Sequence, residues 1–179
     1  MKINQFKSWW YLILNMVDKR KYKAVILFFA NKIRNDTLGK VKLMKLLYFS
    51  DFDFFERYGK SITGDRYVRL PLGPVPEKAE DIIKEMELEG SIKTEKVKMP
   101  HPMSDKHLIV PIKPLTLEHF SKEELEMLEL TAQKWEKFNG REMTDASHGE
   151  APWIATKPSC IIDYNLVYYR NKYNEMNKM

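Results

Sequence analysis

Four histidines and one cysteine are the side chains of this chain best suited to metal binding or nucleophilic chemistry. The histidines are His101, His107, His119 and His148, and none of them forms a HExxH helix motif. His148-Gly149-Glu150 has the H-x-E spacing of a zinc deaminase. However, Pro158-Ser159-Cys160 lacks the second cysteine that such a zinc site requires. The sequence therefore excludes a deaminase-type zinc site.

Cys160 could act as a nucleophile with His148 as its base. A lone cysteine beside Ile161 and Ile162 is instead predicted to be a packed small hydrophobe. The seven glycines form neither a GxGxxG fingerprint nor a Walker loop, so nucleotide binding has no support. A single cysteine cannot close an intramolecular disulfide, which predicts a reducing, cytoplasmic location.

Asp51, Asp53 and Glu56 could in principle gather at a metal ion. On a helix, residues 53 and 56 share a face, whereas residue 51 points elsewhere. We therefore predict surface carboxylates rather than a metal site. A hydrolase with an unrecognised site, depending on His148, is the remaining enzymatic hypothesis. The sequence favours a protein that is not an enzyme, with no catalytic residue, no metal and no cofactor.

Composition indicates one globular domain with an uneven charge distribution. The chain has 179 residues, 44% of them hydrophobic and 31% charged, and no apolar run approaches the roughly 20 residues of a membrane helix. We therefore expect no membrane partner. Residues 1–45 carry 11 Lys and Arg against Asp18 and Asp36, a net charge of +9. This basic end indicates either nucleic-acid binding or a solvated helical face.

The first 20 residues are predicted to be an extension that precedes a single domain over residues 21–170 and a polar tail over residues 171–179. Helical spacing places apolar side chains of this extension on one face, which predicts an amphipathic helix docked on the domain or on a partner. Met16 is an alternative start. The apolar residues are Phe6, Trp9, Trp10, Ile13, Leu14 and Val17.

Two helices are predicted over residues 22–33 and 41–57. The second is apolar on most sides, which is typical of the buried centre of a bundle, and Gly59 should end it. Its lysines lie near the N-terminal end and its acidic residues near the C-terminal end, so both groups oppose the helix dipole. Tertiary salt bridges, plain exposure, or a docking edge for an acidic partner could each explain this. The lysines are Lys40, Lys42 and Lys45.

Extended segments are predicted at residues 61–70, with a turn at residues 63–65, and at residues 92–97 and 108–112. Gly73-Pro74-Val75-Pro76 is predicted to open a helix, because proline is favoured in a first helical turn.

Later helices are predicted from Ser121, which begins a capping box, to Phe138 and over residues 144–150. Residues 161–169 should pack back on the body. The predicted fold class is α+β and mostly helical, with helices packed around a small antiparallel sheet of two or three strands.

Three stretches together carry a family resemblance. The first runs from Lys42-Leu43 to Tyr48-Phe49 and on to Tyr58-Gly59-Lys60. The second approaches Gly73-Pro74-Val75 through Tyr67, and the third comprises Ser147-His148 and Pro152-Trp153. Over about residues 21–155 the chain resembles the SocA-like Panacea domain family. Ser147 is a mild departure, since the family typically has threonine there.

This resemblance implies helices around a small sheet and a non-catalytic role. Family members neutralise a cognate toxin, encoded nearby, by direct binding or by delivering it to a protease as an adaptor, and some are phage-associated. The alternative is a nucleic-acid-binding regulator of a prophage or mobile element.

Recognition surfaces are enriched in aromatic and arginine anchors, and the chain has 22 Phe, Trp and Tyr residues. We therefore predict Tyr67, Arg69, His148 and Trp153 as partner-binding residues, in the surface or in its support. For His148 and Trp153 the competing interpretation is a pair that pins a helical turn into the core.

Overall fold

The computed structural model describes residues 17–34, 37–101 and 105–170. The predicted amphipathic helix of the extension lies outside these residues, apart from Val17. The helices are α1 (Lys19–Lys32), α2 (Lys40–Tyr58), α3 (Ala79–Leu88), α4 (Lys122–Trp135), α5 (Gly140–His148), α6 (Ala151–Ala155) and a 3-10 helix (Tyr164–Tyr169). The strands are β1 (Tyr67–Leu70), β2 (Gly73–Pro76), β3 (Ile92–Val97), β4 (Lys106–Pro111) and β5 (Ile161–Ile162).

Helix α2 is the buried centre of the domain, as its apolar sequence predicts. It contacts α1, α4, α5, β2 and the 3-10 helix, so it meets other elements on several sides. Leu43, Leu47 and Phe52 are fully buried along it. The helix ends where Gly59 adopts a left-handed conformation, with φ of 70°, and its N–H donates to the Phe55 carbonyl.

The strands form two small antiparallel sheets. One has the order β2-β1-β5, and the other pairs β3 with β4. The strand predicted over residues 92–97 is β3, and the strand predicted over residues 108–112 is β4, which begins two residues earlier and ends one residue earlier. Their pairing places Ile92 opposite Pro111 and Val97 opposite Lys106. The α+β, mostly helical fold class is confirmed. In the described part of the chain no helix is both long enough and apolar enough to cross a membrane.

The predicted helix start at Gly73 is wrong, because this segment is strand β2. It pairs antiparallel with β1, with Val75 opposite Val68 and Pro74 opposite Arg69. The hairpin therefore turns at Pro71 and Leu72 rather than at residues 63–65. Proline cannot donate to a sheet, but β2 lies at the sheet edge, where proline is tolerated. The following helix begins only at Ala79.

Capping explains where two later helices begin. Ser121 and Glu124 form the predicted capping box of α4, which ends at Trp135, three residues before the predicted end. Asn139 and Glu142 form a second capping box at the start of α5. The predicted packing of the C-terminal segment is confirmed, since Ile162 and Val167 are buried in the core and Tyr164 packs against it.

Candidate partner-binding site

Three of the four predicted partner-binding residues meet in one cluster, which we call the Arg69–Trp153–His148 stack. Arg69 comes from β1, His148 ends α5, and Trp153 lies in α6. The Arg69 Cζ atom lies 4.0 Å from the Trp153 ring centroid, a cation–π contact. The His148 ring lies 4.1 Å from the Trp153 ring with an interplanar angle of 24°. The fold therefore brings together residues up to 84 positions apart.

Backbone acceptors hold this stack in place. Arg69 Nη1 donates to the Thr156 carbonyl, and Trp153 Nε1 donates to the Leu70 carbonyl at 3.4 Å. All three side chains of the stack are half-buried, so each has a fixed position and an accessible edge. Three exposed apolar residues lie on the same hairpin or on the neighbouring strand: Leu70 at the end of β1, Leu72 in the β1–β2 turn, and Ile161 on β5, opposite Val68.

A buried lysine lies beneath the stack. Lys45 is only 1% exposed, and its Nζ donates to the Pro74 carbonyl at 2.8 Å. Burial lowers the pKa of Lys45 to about 7, because removing an ammonium group from water disfavours the charged form. Neighbouring Ser147 is also buried, and its hydroxyl donates to the Thr144 carbonyl at 2.7 Å.

Gly73 fits between these two side chains because it has no Cβ. A Cβ at this position would lie 2.6 Å from Ser147 Oγ and 2.8 Å from Lys45 Nζ. The φ of Gly73 is also positive, at 91°, which other residues adopt only with strain. One residue from each of the three family stretches therefore meets at this point: Lys45 from the first, Gly73 from the second and Ser147 from the third.

The surroundings of His148 disfavour its charged form. Burial lowers its pKa, and the nearby positive charge of Lys45 lowers it further. Its Nε2 atom is buried and has no hydrogen-bond partner among the described residues. The histidine is thus stacked on Trp153 as expected for a pinning pair, but it is not satisfied by hydrogen bonds.

Tyr67 lies in the core, so it is placed to support the surface rather than to touch a partner. Its hydroxyl donates to Asp51 Oδ2 at 2.8 Å. Asp51 also accepts from the Thr63 hydroxyl and, at 2.9 Å each, from the backbone N–H groups of Ile62 and Thr63. Burial raises the pKa of Asp51 to about 6, against the opposing effect of these hydrogen bonds.

The prediction of surface carboxylates therefore needs correction. Asp51 is fully buried, and Asp53 and Glu56 both form ion pairs with Arg170 Nη1, at 2.6 and 2.9 Å. Glu150 completes this cluster at 2.5 Å from Arg170 Nε. Across residues 17–34, 37–101 and 105–170, no group of three or more His, Cys, Asp or Glu side chains could hold a metal ion.

Every described lysine of residues 17–45 has a partner within the fold. Lys40 pairs with Glu80 at 2.9 Å, which confirms a tertiary salt bridge for this residue. Lys42 is buried and donates to the Glu136 carbonyl at 2.8 Å, so neither Lys42 nor Lys45 forms an exposed docking edge. Further lysines pair with carboxylates on α3 and α4 or at the C-cap of α3, namely Lys19 with Glu85, Lys21 with Glu124, Lys23 with Glu89 and Lys32 with Glu129.

Sequence reasoning missed several residues of this site. Lys45 looks like an exposed charge, yet its position inside an otherwise apolar helix was a signal of burial. Nothing near Arg170 in the sequence indicated its burial, because its acidic partners lie up to 117 residues away. Cys160 was predicted to be packed, but it is exposed on the segment that precedes β5.

Comparison with known proteins follows these structural observations. A search of curated proteins finds no match to the chain. A protein-family comparison matches residues 43–154, which is more than half of the chain, to the family described as "Antitoxin SocA-like, Panacea domain". The matched region includes Lys45, Gly73, Ser147 and the whole Arg69–Trp153–His148 stack. The chain therefore belongs to the antitoxin SocA-like Panacea domain family.

Proposed function

We propose that this protein is a non-catalytic antitoxin that neutralises a cognate protein toxin by binding it directly. Family membership supports an antitoxin role in general. The observation that carries the proposal is the Arg69–Trp153–His148 stack, a fixed and half-exposed anchor beside the exposed Leu70 and Leu72. Reduced, exposed Cys160 is compatible with action in the cytoplasm.

Direct binding is consistent with the physical character of this surface. Tryptophan and arginine are the residue types most often found at energetic hot spots of protein interfaces. An anchor that is already ordered loses little conformational freedom on binding, which favours affinity. The exposed side chains of Leu70, Leu72 and Ile161 offer apolar area on this hairpin and on β5 that a toxin could bury.

A nucleic-acid-binding regulator is less well supported. The excess of positive charge in residues 1–45 is what favours it, yet lysines 19, 21, 23, 32 and 40 are all paired with glutamates. A phosphate backbone would have to compete with these carboxylates. Binding of duplex DNA that weakens steeply with salt would revive this alternative.

The test is co-expression of the chain with the product of its adjacent gene, followed by co-purification. Leu72→Glu should abolish rescue, because it places a charge at the 67% exposed tip of the β1–β2 hairpin. Leu88→Glu is the matched control, since Leu88 is 89% exposed at the end of α3 and away from the stack. Rescue should persist in this control.

Equal behaviour of the two variants would count against the stack as the binding surface. An adjacent gene product that is neither toxic nor bound would overturn the proposed function itself. The amount of toxin after co-expression distinguishes two forms of neutralisation. A stable complex at an unchanged toxin level indicates direct inhibition, whereas a fall in toxin that depends on a host protease indicates an adaptor.

A further inference from the structure

The outer edge of the two-stranded sheet is unpaired in the part of the chain that the structure describes. Strand β3 pairs with β4, and β4 meets the segment before α2 on its other side, through a bridge between Gly39 and Leu108. The outer edge of β3 therefore carries backbone N–H and C=O groups that no neighbouring strand satisfies. Such an edge is a ready template for the addition of another strand.

Hydrogen-bond geometry identifies the residues of β3 whose backbone faces this edge. The Ile109 N–H donates to the Leu38 carbonyl at 2.9 Å, so the backbone of Ile109 points away from β3. Thr94 lies opposite Ile109, and the backbone groups of such a pair both point out of the two-stranded ladder. Ile92 and Lys96 lie two positions to either side of Thr94, so they point outward as well. Their outward groups have no backbone partner among the described residues.

One arrangement of two copies of β3 places opposite charges directly across from each other. In an antiparallel pair with its two-fold axis at Thr94, the Lys93 of each copy lies opposite the Glu95 of the other. Within one strand, Lys93 Nζ already lies 2.5 Å from Glu95 Oε1, and the two side chains are 55% and 47% exposed. Two copies would therefore form a ring of four charges that alternate in sign.

Other registers oppose like charges or shorten the ladder. In an antiparallel pair, outward-facing residues join only outward-facing residues, so the two-fold axis must pass through a residue. An axis at Lys93, Glu95 or Lys96 would place like charges directly opposite each other, which is destabilising. An axis at Ile92 would carry Lys96 past the end of the partner strand. The charges of β3 therefore favour the register centred on Thr94.

The side chain of Thr94 supplies a second observation. Its Oγ1 atom is buried and has no hydrogen-bond partner among the described residues. Buried hydroxyl groups usually have a partner, so this atom calls for an explanation. In the register centred on Thr94, the two copies of this side chain would lie next to each other on the same face of the sheet. One hydroxyl could then donate a hydrogen bond to the other.

We propose that two copies of this chain pair through the outer edges of β3, in the antiparallel register centred on Thr94. The two sheets then become one, with the strand order β4-β3-β3-β4, and the outward backbone groups of β3 gain partners. A short ladder with exposed charges buries little apolar surface, so the dimer should be weak and sensitive to salt. This inference does not rest on the antitoxin role, because Arg69 of the stack lies on the other sheet.

Sedimentation velocity of the full chain, from low micromolar to near-millimolar concentration, tests for the dimer. A reversible shift from monomer to dimer is expected, and salt should weaken it. Glu95→Lys should weaken dimerisation by about tenfold or more, because both attractive cross-strand pairs become repulsive. Lys93→Glu should have the same effect for the same reason. Glu118→Lys is the matched control and should dimerise like the wild type, since its side chain is 75% exposed in the loop between β4 and α4.

A mixture of the two charge variants tests the register itself. In that mixture one copy of β3 carries lysine at positions 93 and 95, and the other carries glutamate at both. The Glu95→Lys and Lys93→Glu proteins should therefore form a heterodimer, although each of them alone stays monomeric. The double variant Lys93→Glu/Glu95→Lys exchanges the two charges and should dimerise with itself again. Misfolding of a single variant could not produce either rescue.

Hydrogen exchange followed by NMR locates the interface. The backbone N–H groups of Thr94 and Lys96 should exchange more slowly as concentration rises, whereas those of Lys93 and Glu95 should change little because they already face β4.

The proposal is overturned by a chain that stays monomeric at every concentration, by a dimer that Glu95→Lys leaves unchanged, or by charge variants that do not pair when mixed. Protection of the Thr94 and Lys96 N–H groups at every concentration would also overturn it, because another segment of the same chain would then cover the edge.

Discussion

Lys45 Nζ donates a hydrogen bond to the Pro74 carbonyl at 2.8 Å, in a position where only 1% of the lysine is exposed. This contact joins the central helix α2 to the edge strand β2, and no carboxylate of the described residues pairs with Lys45. A buried ammonium group with a single backbone acceptor is costly, whereas a neutral amine is tolerated. The contact therefore makes the stability of the domain depend on pH.

Stability should rise as pH increases above about 7, the pKa of Lys45 in the folded chain. The unfolded lysine keeps its proton up to its ordinary pKa of 10.5, so the unfolded state binds more protons in this interval. Lys45→Met should remove this rise. The cost of the unpaired Pro74 carbonyl, about 1–3 kcal/mol, should therefore be seen in full only well above pH 7, because at lower pH it is offset by the loss of the buried ammonium group. Urea unfolding at a series of pH values measures both effects. Parallel profiles for the two proteins would contradict the assignment.

Gly73→Ala should destabilise the domain by about 2–4 kcal/mol. The new Cβ would overlap Ser147 Oγ and Lys45 Nζ, and its backbone would be strained at a φ of 91°. Gly59→Ala measures the cost of backbone strain without the steric overlap, because Gly59 also has a positive φ but an added Cβ there would have nothing within 4 Å. This control should lose only about 1–2 kcal/mol. Chemical denaturation compares the two, and adding Ser147→Ala to Gly73→Ala should restore part of the loss.

Asp51→Asn should cost about 2–4 kcal/mol at pH 7. The amide presents N–H groups to a site where Asp51 accepts from Thr63, Ile62 and Tyr67, so buried donors lose their acceptors. Because burial raises the pKa of Asp51 to about 6, the wild type should also lose stability as pH rises from about 4 to 6. Exposed Asp81→Asn should change stability by less than about 1 kcal/mol. A thermal shift as large for Asp81→Asn as for Asp51→Asn would refute the burial argument.

Arg170→Ala should cost about 2–4 kcal/mol at pH 7, because it leaves Asp53, Glu56 and Glu150 close together without their cation. The side chain of Arg170 is only 13% exposed, so solvent screens the cluster weakly. The loss should shrink as pH falls, because burial raises the pKa of Glu150 and its protonation removes one of the negative charges that Arg170 offsets.

A surface ion pair provides the comparison for Arg170. Arg66 pairs with Glu77 at 2.7 Å, but its side chain is 62% exposed, so Arg66→Ala should cost less than about 1 kcal/mol. Guanidinium unfolding would mask ionic effects by screening, so urea is the appropriate denaturant. An Arg170→Ala loss no greater than that of Arg66→Ala would show that the cluster does not hold the 3-10 helix.

Features that depend on near neighbours in the sequence could be predicted. The apolar run of α2, the glycine that ends it, the capping box at Ser121 and the alternation of β3 and β4 all reflect interactions within a few residues. The family stretches belong to the same class of observation, because they are local in the sequence. The preference of recognition surfaces for aromatic and arginine side chains predicted four residues, three of which meet in the Arg69–Trp153–His148 stack.

The preference of proline for a first helical turn led to a wrong prediction at residues 73–76, because a tertiary strand pairing outweighs it. Proline in a first helical turn is favourable, and Gly73-Pro74-Val75-Pro76 fits that pattern, but β1 pairs with this segment as its edge strand. Sequence could not rank these two options, because the competing partner lies elsewhere in the fold.

By itself, the sequence determined the fold class, the family and the principal helix of the core. Only the tertiary structure decided which charges are buried and with what they pair. Lys40, Lys42 and Lys45 look alike in the sequence, yet one forms a surface ion pair and two donate to distant carbonyls. The physical reason is that the free energy of a charge depends on its solvation and on its nearest partner. Both are set by segments brought together across 29 to 117 positions of the chain.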